Sequence, residues 1–160
     1  MSKQNRHTAR RLIIQALFQW DFNQAPKEKI EEFVDYLAKS LYPGMEELSF
    51  VKKIINGIFK NITKIDEHIT KYAPEWPLSQ ITIVDRNILR MGIYELLFDP
   101  DTPAKVAIDE ALEIAREFNG EPSRKFVNGV LGSIFRDIKV QKKSEDKEND
   151  NKSEILNSKS

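Results

Sequence analysis

Cysteine is absent from this 160-residue chain. Its absence excludes disulfides, thiolate metal sites and a cysteine nucleophile, and it fits an intracellular location. Glycine is scarce, with six residues in all, which leaves little material for a phosphate-cradling loop. No uninterrupted apolar run reaches the ~18 residues that a membrane span needs. The basic start leads into an apolar stretch broken by Gln15, Gln19 and Trp20, without the small-residue cleavage site of a signal peptide. The expectation is a soluble cytoplasmic protein with no membrane partner. Net charge is lacking too, since 25 basic residues balance 25 acidic ones. Acid is missing locally: the first twenty residues carry Lys3, Arg6, Arg10 and Arg11, and the first carboxylate is Asp21. This end is therefore a positive patch on a neutral protein.

The same stretch is apolar at helical spacing, through Ala9, Leu12, Ile13, Ala16, Leu17 and Trp20. A helix that docks by one face and shows cations on another is a candidate phosphate-binding surface. On a helical wheel His7, Arg11, Ile14 and Phe18 share about one quadrant, with Arg6 and Arg10 flanking it. Cations that follow a backbone beside an aromatic that stacks on a base suit single-stranded nucleic acid. A solvated face with Phe18 under a neighbouring helix explains the same pattern, so both readings stand at this point.

Helical spacing continues almost throughout. A second stripe runs from Ile30 to Leu41 and ends at Pro43-Gly44; a third runs from Val51 to Ile69 and ends at Pro74-Glu75-Trp76-Pro77. From Ile83 to Phe98 the apolar side chains fall nearly all round the wheel, which predicts a central helix. Asp85 and Glu95 lie among those apolar residues and need partners, with Arg86 and Arg90 as nearby candidates. A further helix carries Ile108, Ala111, Leu112 and Ala115 and stops at Asn119-Gly120; the last runs from about Pro122 to Ile138. Gly129 and Gly132 within it suggest close helix packing. From Gln141 onward the chain is charged and polar, with only Ile155 and Leu156 apolar. Such a segment buries too little to offset its ordering entropy. The expectation is an all-α, compact bundle of about seven helices over residues 1–140, followed by a disordered charged tail at 141–160.

Enzyme chemistry finds no supported site. His7 and His68, the only histidines, lack metal-type neighbours at ligand spacing and read as surface residues. Asp109-Glu110 point about 100° apart on a helix, which favours an ion pair with an arginine over paired catalytic carboxylates. No cofactor is expected.

Four segments taken together carry a resemblance: Arg6-His7-Thr8-Ala9-Arg10 leading to Gln15-Ala16-Leu17-Phe18-Gln19-Trp20; Val84 to Arg90 with Tyr94-Glu95-Leu96; Pro103 to Ala111; and Lys125 to Leu131. Their order and spacing resemble the NusB family of bacterial transcription antitermination factors, over about residues 5 to 138. The resemblance implies two packed helical subdomains and a partner, the ribosomal protein NusE. It implies binding of the boxA element of nascent RNA, chiefly ribosomal RNA leaders, so that RNA polymerase resists termination. The family's arginine-rich start matches Arg6, Arg10 and Arg11, with Lys3 and His7 in the same basic segment. Its aromatic after Ala-Leu is Phe18, and its lysine-phenylalanine before Val-Asn-Gly is Lys125-Phe126. Its acidic residue opening the central helix is Asp85, a partner-face position. The turn before Lys125 is shorter than usual and holds Pro122, and the charged tail is not a family hallmark. A related domain opens a ribosomal RNA cytosine methyltransferase, whose cofactor-binding domain is not expected in a chain of this length. The rival reading is a protein-only helical adaptor whose basic face binds an acidic partner.

Overall fold

A computed structural model describes residues 3–159, with side chains from Asn5 to Lys159. Every regular element among them is helical: α1 (Lys3–Phe22), α2 (Ile30–Leu41), α3 (Leu48–Lys60), α4 (Ile62–Tyr72), α5 (Ile83–Leu97) and α6 (Ala104–Ser158), with short 3₁₀ turns at Lys27–Lys29 and Leu78–Gln80. The all-α expectation holds, with six helices. α6 changes direction at Gly120, whose φ of 83° and ψ of −175° lie outside helical space. A side chain there would be strained, which is why the break expected after Asn119 falls on glycine.

α5 is the axis of the fold and packs against α1, α3, α4 and α6. Ile88 through Glu95 are buried without interruption, as apolar side chains all round a helix require. Thr82 starts α5 by accepting the Asp85 N–H at 3.2 Å, an N-cap that satisfies one of the helix's orphan donors. Two glycines let neighbours approach this axis. At Gly57 the Tyr94 ring fills the space a Cβ would need, and at Gly92 the Leu131 Cδ1 lies 2.9 Å from where one would sit. Gly129 and Gly132, expected to serve this purpose, do not: a Cβ at Gly129 meets nothing within 4 Å, and at Gly132 only ordinary contacts.

The long third stripe is two helices rather than one. Asn61 closes α3 and opens α4 with φ −114° and ψ 12°, and its Nδ2 donates to the Gly57 carbonyl at 2.9 Å. The apolar stripe carries on through the bend, so spacing alone concealed it.

The tail also differs from expectation. Residues 141–158 continue α6 as helix, and every one is exposed. Lysine, glutamate and glutamine are good helix formers, and Glu148 stands four residues before Lys152, the favourable order for a helical pair. The segment joins no core, as its composition implies, and its described residues are helical where disorder is expected.

Candidate nucleic-acid interface

The two buried acids of α5 are satisfied from afar. Glu95 accepts a bidentate pair from Arg10, with Nε at 2.8 Å and Nη2 at 2.7 Å, and a further bond from the Thr102 hydroxyl at 3.0 Å. Asp85 accepts from the Ser123 hydroxyl and lies 3.5 Å from Asn119 Nδ2. Arg86 and Arg90, the nearby candidates, turn instead to Asp21 at the end of α1, at 2.6 and 3.0 Å. Arg90 also holds Asp66 at 2.9 Å. Burial pushes the Asp21 carboxyl up, but hydrogen bonds from Arg86 and Asn87 and the two guanidinium charges outweigh it and hold it below its ordinary value.

This arrangement sorts the expected basic patch. Arg10 is 2% exposed and lies over the Phe50 ring at 5.3 Å, so it faces the interior rather than a phosphate. The sequence placed it at the patch edge because its partner is 85 residues away. His7 is no simple surface residue either. Its Nδ1 lies 2.6 Å from Glu110 and its Nε2 2.8 Å from Glu117. With a carboxylate on each ring nitrogen, only the doubly protonated imidazolium can donate to both. Burial lowers the His7 pKa, while the hydrogen bonds and charges of Glu110 and Glu117 raise it further, leaving it above 6.5. The arginine partner expected for Glu110 is also present, as Arg10 Nη1 lies 3.9 Å away.

Arg6 and Arg11 remain outward. Arg6 is exposed and stacks over Phe50 at 5.1 Å. Arg11 is partly exposed, sits over the Phe118 ring at 5.5 Å and has Nη1 3.5 Å from Glu117. About two and three turns further along α1, Phe18 is 38% and Phe22 65% exposed. Their rings stack at 5.8 Å between centroids, 9° from parallel. They form one wall of an open groove of about 470 Å³, lined also by Leu37, Leu41, Val84 and Phe118. Phe118 therefore links the groove to Arg11. Phe22, Phe118 and Glu117 escaped the sequence reading. Phe22 had a signal, since it lies four residues beyond Phe18 on the same helix face; the two α6 residues had none, being about 110 positions from their neighbours.

The other expected residues lie elsewhere. Lys3 belongs to α1, and its side chain lies outside the described residues. Lys125 and Phe126 line a separate groove of about 360 Å³ with Tyr72, Trp76 and Gly129. Asp85 is buried at the foot of α5, where it ties that helix to α6 beyond Gly120. Among the described residues no group of three or more His, Asp or Glu side chains is placed to hold a metal ion, and no helix is long and apolar enough to cross a membrane.

Known proteins are similar to this chain in both fold and sequence. The structure of T. maritima NusB is 39% identical and superposes with a TM-score of 0.71, covering 81% of this chain and 89% of that one. A chain of a crystal structure of antitermination factors NusB and NusE in complex with dsRNA has a TM-score of 0.73 over 84% of this chain and 98% of that one; at 24% identity it shows the shared fold. The transcription antitermination protein NusB of Solibacter usitatus is 40% identical over 136 residues, 84% of this chain and 90% of that protein. That of Chloroherpeton thalassium is 38% identical over 140 residues, covering 84% of this chain and 63% of the relative. The model of the NusB family matches residues 7–136, from the histidine that anchors α1 to the last turns of α6 against the core. The chain is a member of the NusB family.

Proposed function

We propose that the chain is a transcription antitermination factor that binds boxA RNA together with ribosomal protein NusE and acts on RNA polymerase during ribosomal RNA synthesis. One observation carries the RNA reading: α1 carries Arg6 and Arg11 in the turns that precede the stacked and exposed Phe18–Phe22 pair. Guanidinium groups follow a phosphate backbone while an exposed ring receives a base. In this reading Arg6, Arg11 and Phe18 contact RNA, with Lys3 extending the charged end. Lys125 and Phe126, beside exposed Trp76, offer a second contact area. His7 and Arg10 hold α1 in place and support the interface from behind. Asp85 shapes a NusE-facing surface through the α5–α6 junction. The relatives' shared name, transcription antitermination protein, supports the role.

The role is one of binding rather than catalysis, in the cytoplasm, where nascent RNA is made. Its working domain is residues 1–140, organised as two packed helical subdomains. Residues 141–159 are a solvated appendage.

The test is titration of boxA RNA against a scrambled RNA, with and without NusE. Few phosphate contacts are available on α1, so binding alone is weak, and NusE tightens it by adding contacts and enlarging the readout surface. Equal boxA affinity with and without NusE counts against the cooperative reading. RNA-independent capture of an acidic protein by the α1 face, without boxA preference, favours the adaptor instead.

A further inference from the structure

We infer that Glu117 is an internal competitor for the RNA backbone, setting how strongly the α1 face binds phosphate. The inference rests on the RNA reading of that face. Glu117 uses both carboxylate oxygens on the patch, Oε1 on His7 at 2.8 Å and Oε2 toward Arg11 at 3.5 Å. It thus stands where a phosphate oxygen would stand. Its two partners differ in what they would lose if it left. His7 keeps Glu110 at 2.6 Å, a carboxylate whose side chain is only 9% exposed. Arg11 keeps, among the described residues, its stacking on Phe118, 5.5 Å from the ring.

The Arg11 contact is also poorly made. At 3.5 Å it exceeds a normal charge-assisted hydrogen bond, and Arg11 Nε is buried without a hydrogen-bond partner among the described residues. A guanidinium so incompletely paired favours exchange onto a phosphate, which offers more acceptor oxygens than one carboxylate edge. Glu117 itself is 25% exposed at the side chain, so it reaches water as RNA takes its place. The division of labour is then clear. Glu110 fastens His7 to α6, and Glu117 holds Arg11 and screens the patch until a phosphate displaces it.

The experiment measures affinity of full-length chain for single-stranded boxA and scrambled RNA at several salt concentrations. The variants are Glu117→Gln, Arg11→Ala, their combination, and Glu113→Gln. Glu113 is a useful control because it removes the same charge one turn away, where its ion pair is with Arg116 and it reaches His7 of α1 only through longer-range charge. Glu117→Gln should tighten binding about two- to fivefold, the range of a partly exposed ion pair. The gain should appear with both RNAs, because phosphate contacts carry no sequence information, and shrink as salt rises. It should be much smaller in the Arg11→Ala background. Thermal melting confirms that Glu117→Gln folds; if it does not, Glu117→Ser replaces it in the same comparison. Unchanged or weaker binding by a folded variant overturns the inference, as does an equal gain from Glu113→Gln, which would reduce the effect to net charge. If Arg11→Ala weakens binding while Glu117→Gln does nothing, only this inference fails. If neither Arg11→Ala nor Phe18→Ala changes binding, the RNA reading of α1 fails with it.

Discussion

Replacing Arg10 by alanine should damage the fold before it damages RNA recognition. The guanidinium makes two hydrogen bonds to Glu95, at 2.8 and 2.7 Å, and the paired side chains are only 3% and 1% exposed. Truncating Arg10 leaves Glu95 buried with the Thr102 hydroxyl but no counter-charge. Removal of one member of a buried pair costs about 3–5 kcal/mol, chiefly because the other charge is stranded. Domains of this size are stable by only about 5–15 kcal/mol. The loss corresponds to a fall in Tm of roughly 6–20 °C. Urea denaturation, with slope and midpoint both fitted, measures it directly. The double variant Arg10→Ala/Glu95→Ala should be less destabilised than the sum of the singles, since it strands no charge. RNA affinity measured well below the melting point should keep its salt slope, because Arg10 contributes no phosphate contact. A stability change under about 1 kcal/mol, accompanied by a shallower salt dependence, would refute the reasoning and return Arg10 to the RNA surface.

The surface residues should behave in the opposite way. Arg11→Ala should reduce the single-strand salt slope by roughly 0.7, whereas Phe18→Ala should cost on the order of 1–3 kcal/mol of RNA affinity with that slope nearly unchanged; binding isotherms across a salt series separate the two. His7, with its pKa above 6.5 in the fold, stabilises most fully below that ordinary value, and its contribution fades as pH rises through the raised one. The difference in stability between wild type and His7→Gln should therefore narrow toward alkaline pH, and a constant difference would reject the imidazolium bridge. Gly57→Ala should destabilise by driving a methyl into the Tyr94 ring, while Gly129→Ala should stabilise by up to about 1 kcal/mol, as it meets open space in a helix; denaturation midpoints check both.

The helices were legible because burial leaves a period in the sequence. α5 announced itself as central by having apolar residues on every side, and the Gly120 break by an Asn-Gly before a proline. The need of Glu95 for a cation was legible too, but its identity was not. Arg90 is close in sequence, yet it points toward Asp21 and Asp66, and the true partner comes from α1. Asn61 was hidden because the apolar stripe passes through the bend. Glycine was misread at positions 129 and 132 because spacing shows where a small residue occurs and not what faces it. The cationic character of the N-terminal end was plain, but the sharing-out of its charges among Glu95, Glu110 and Glu117 depends on how α1 meets α5 and α6. Phe18 was correctly singled out as an aromatic outside the main core stripe, while the ring it stacks on and the groove it walls depend on α2 and α6.

Two clusters fasten α1 to α5: Arg10 on Glu95 near one end, and Asp21 on Arg86 and Arg90 at the other. Ten residues of helix lie between them, a span of roughly 16 Å from Arg10 to Asp21, and that interval holds Arg11 and Phe18. Both ends of the recognition segment are thus immobilised when the protein folds. An RNA strand arriving at this helix meets a pre-organised surface, and the entropy of ordering it is not charged against binding. Loosening either clamp, even without touching a single outward-facing residue, would weaken recognition by making that surface one conformation among several.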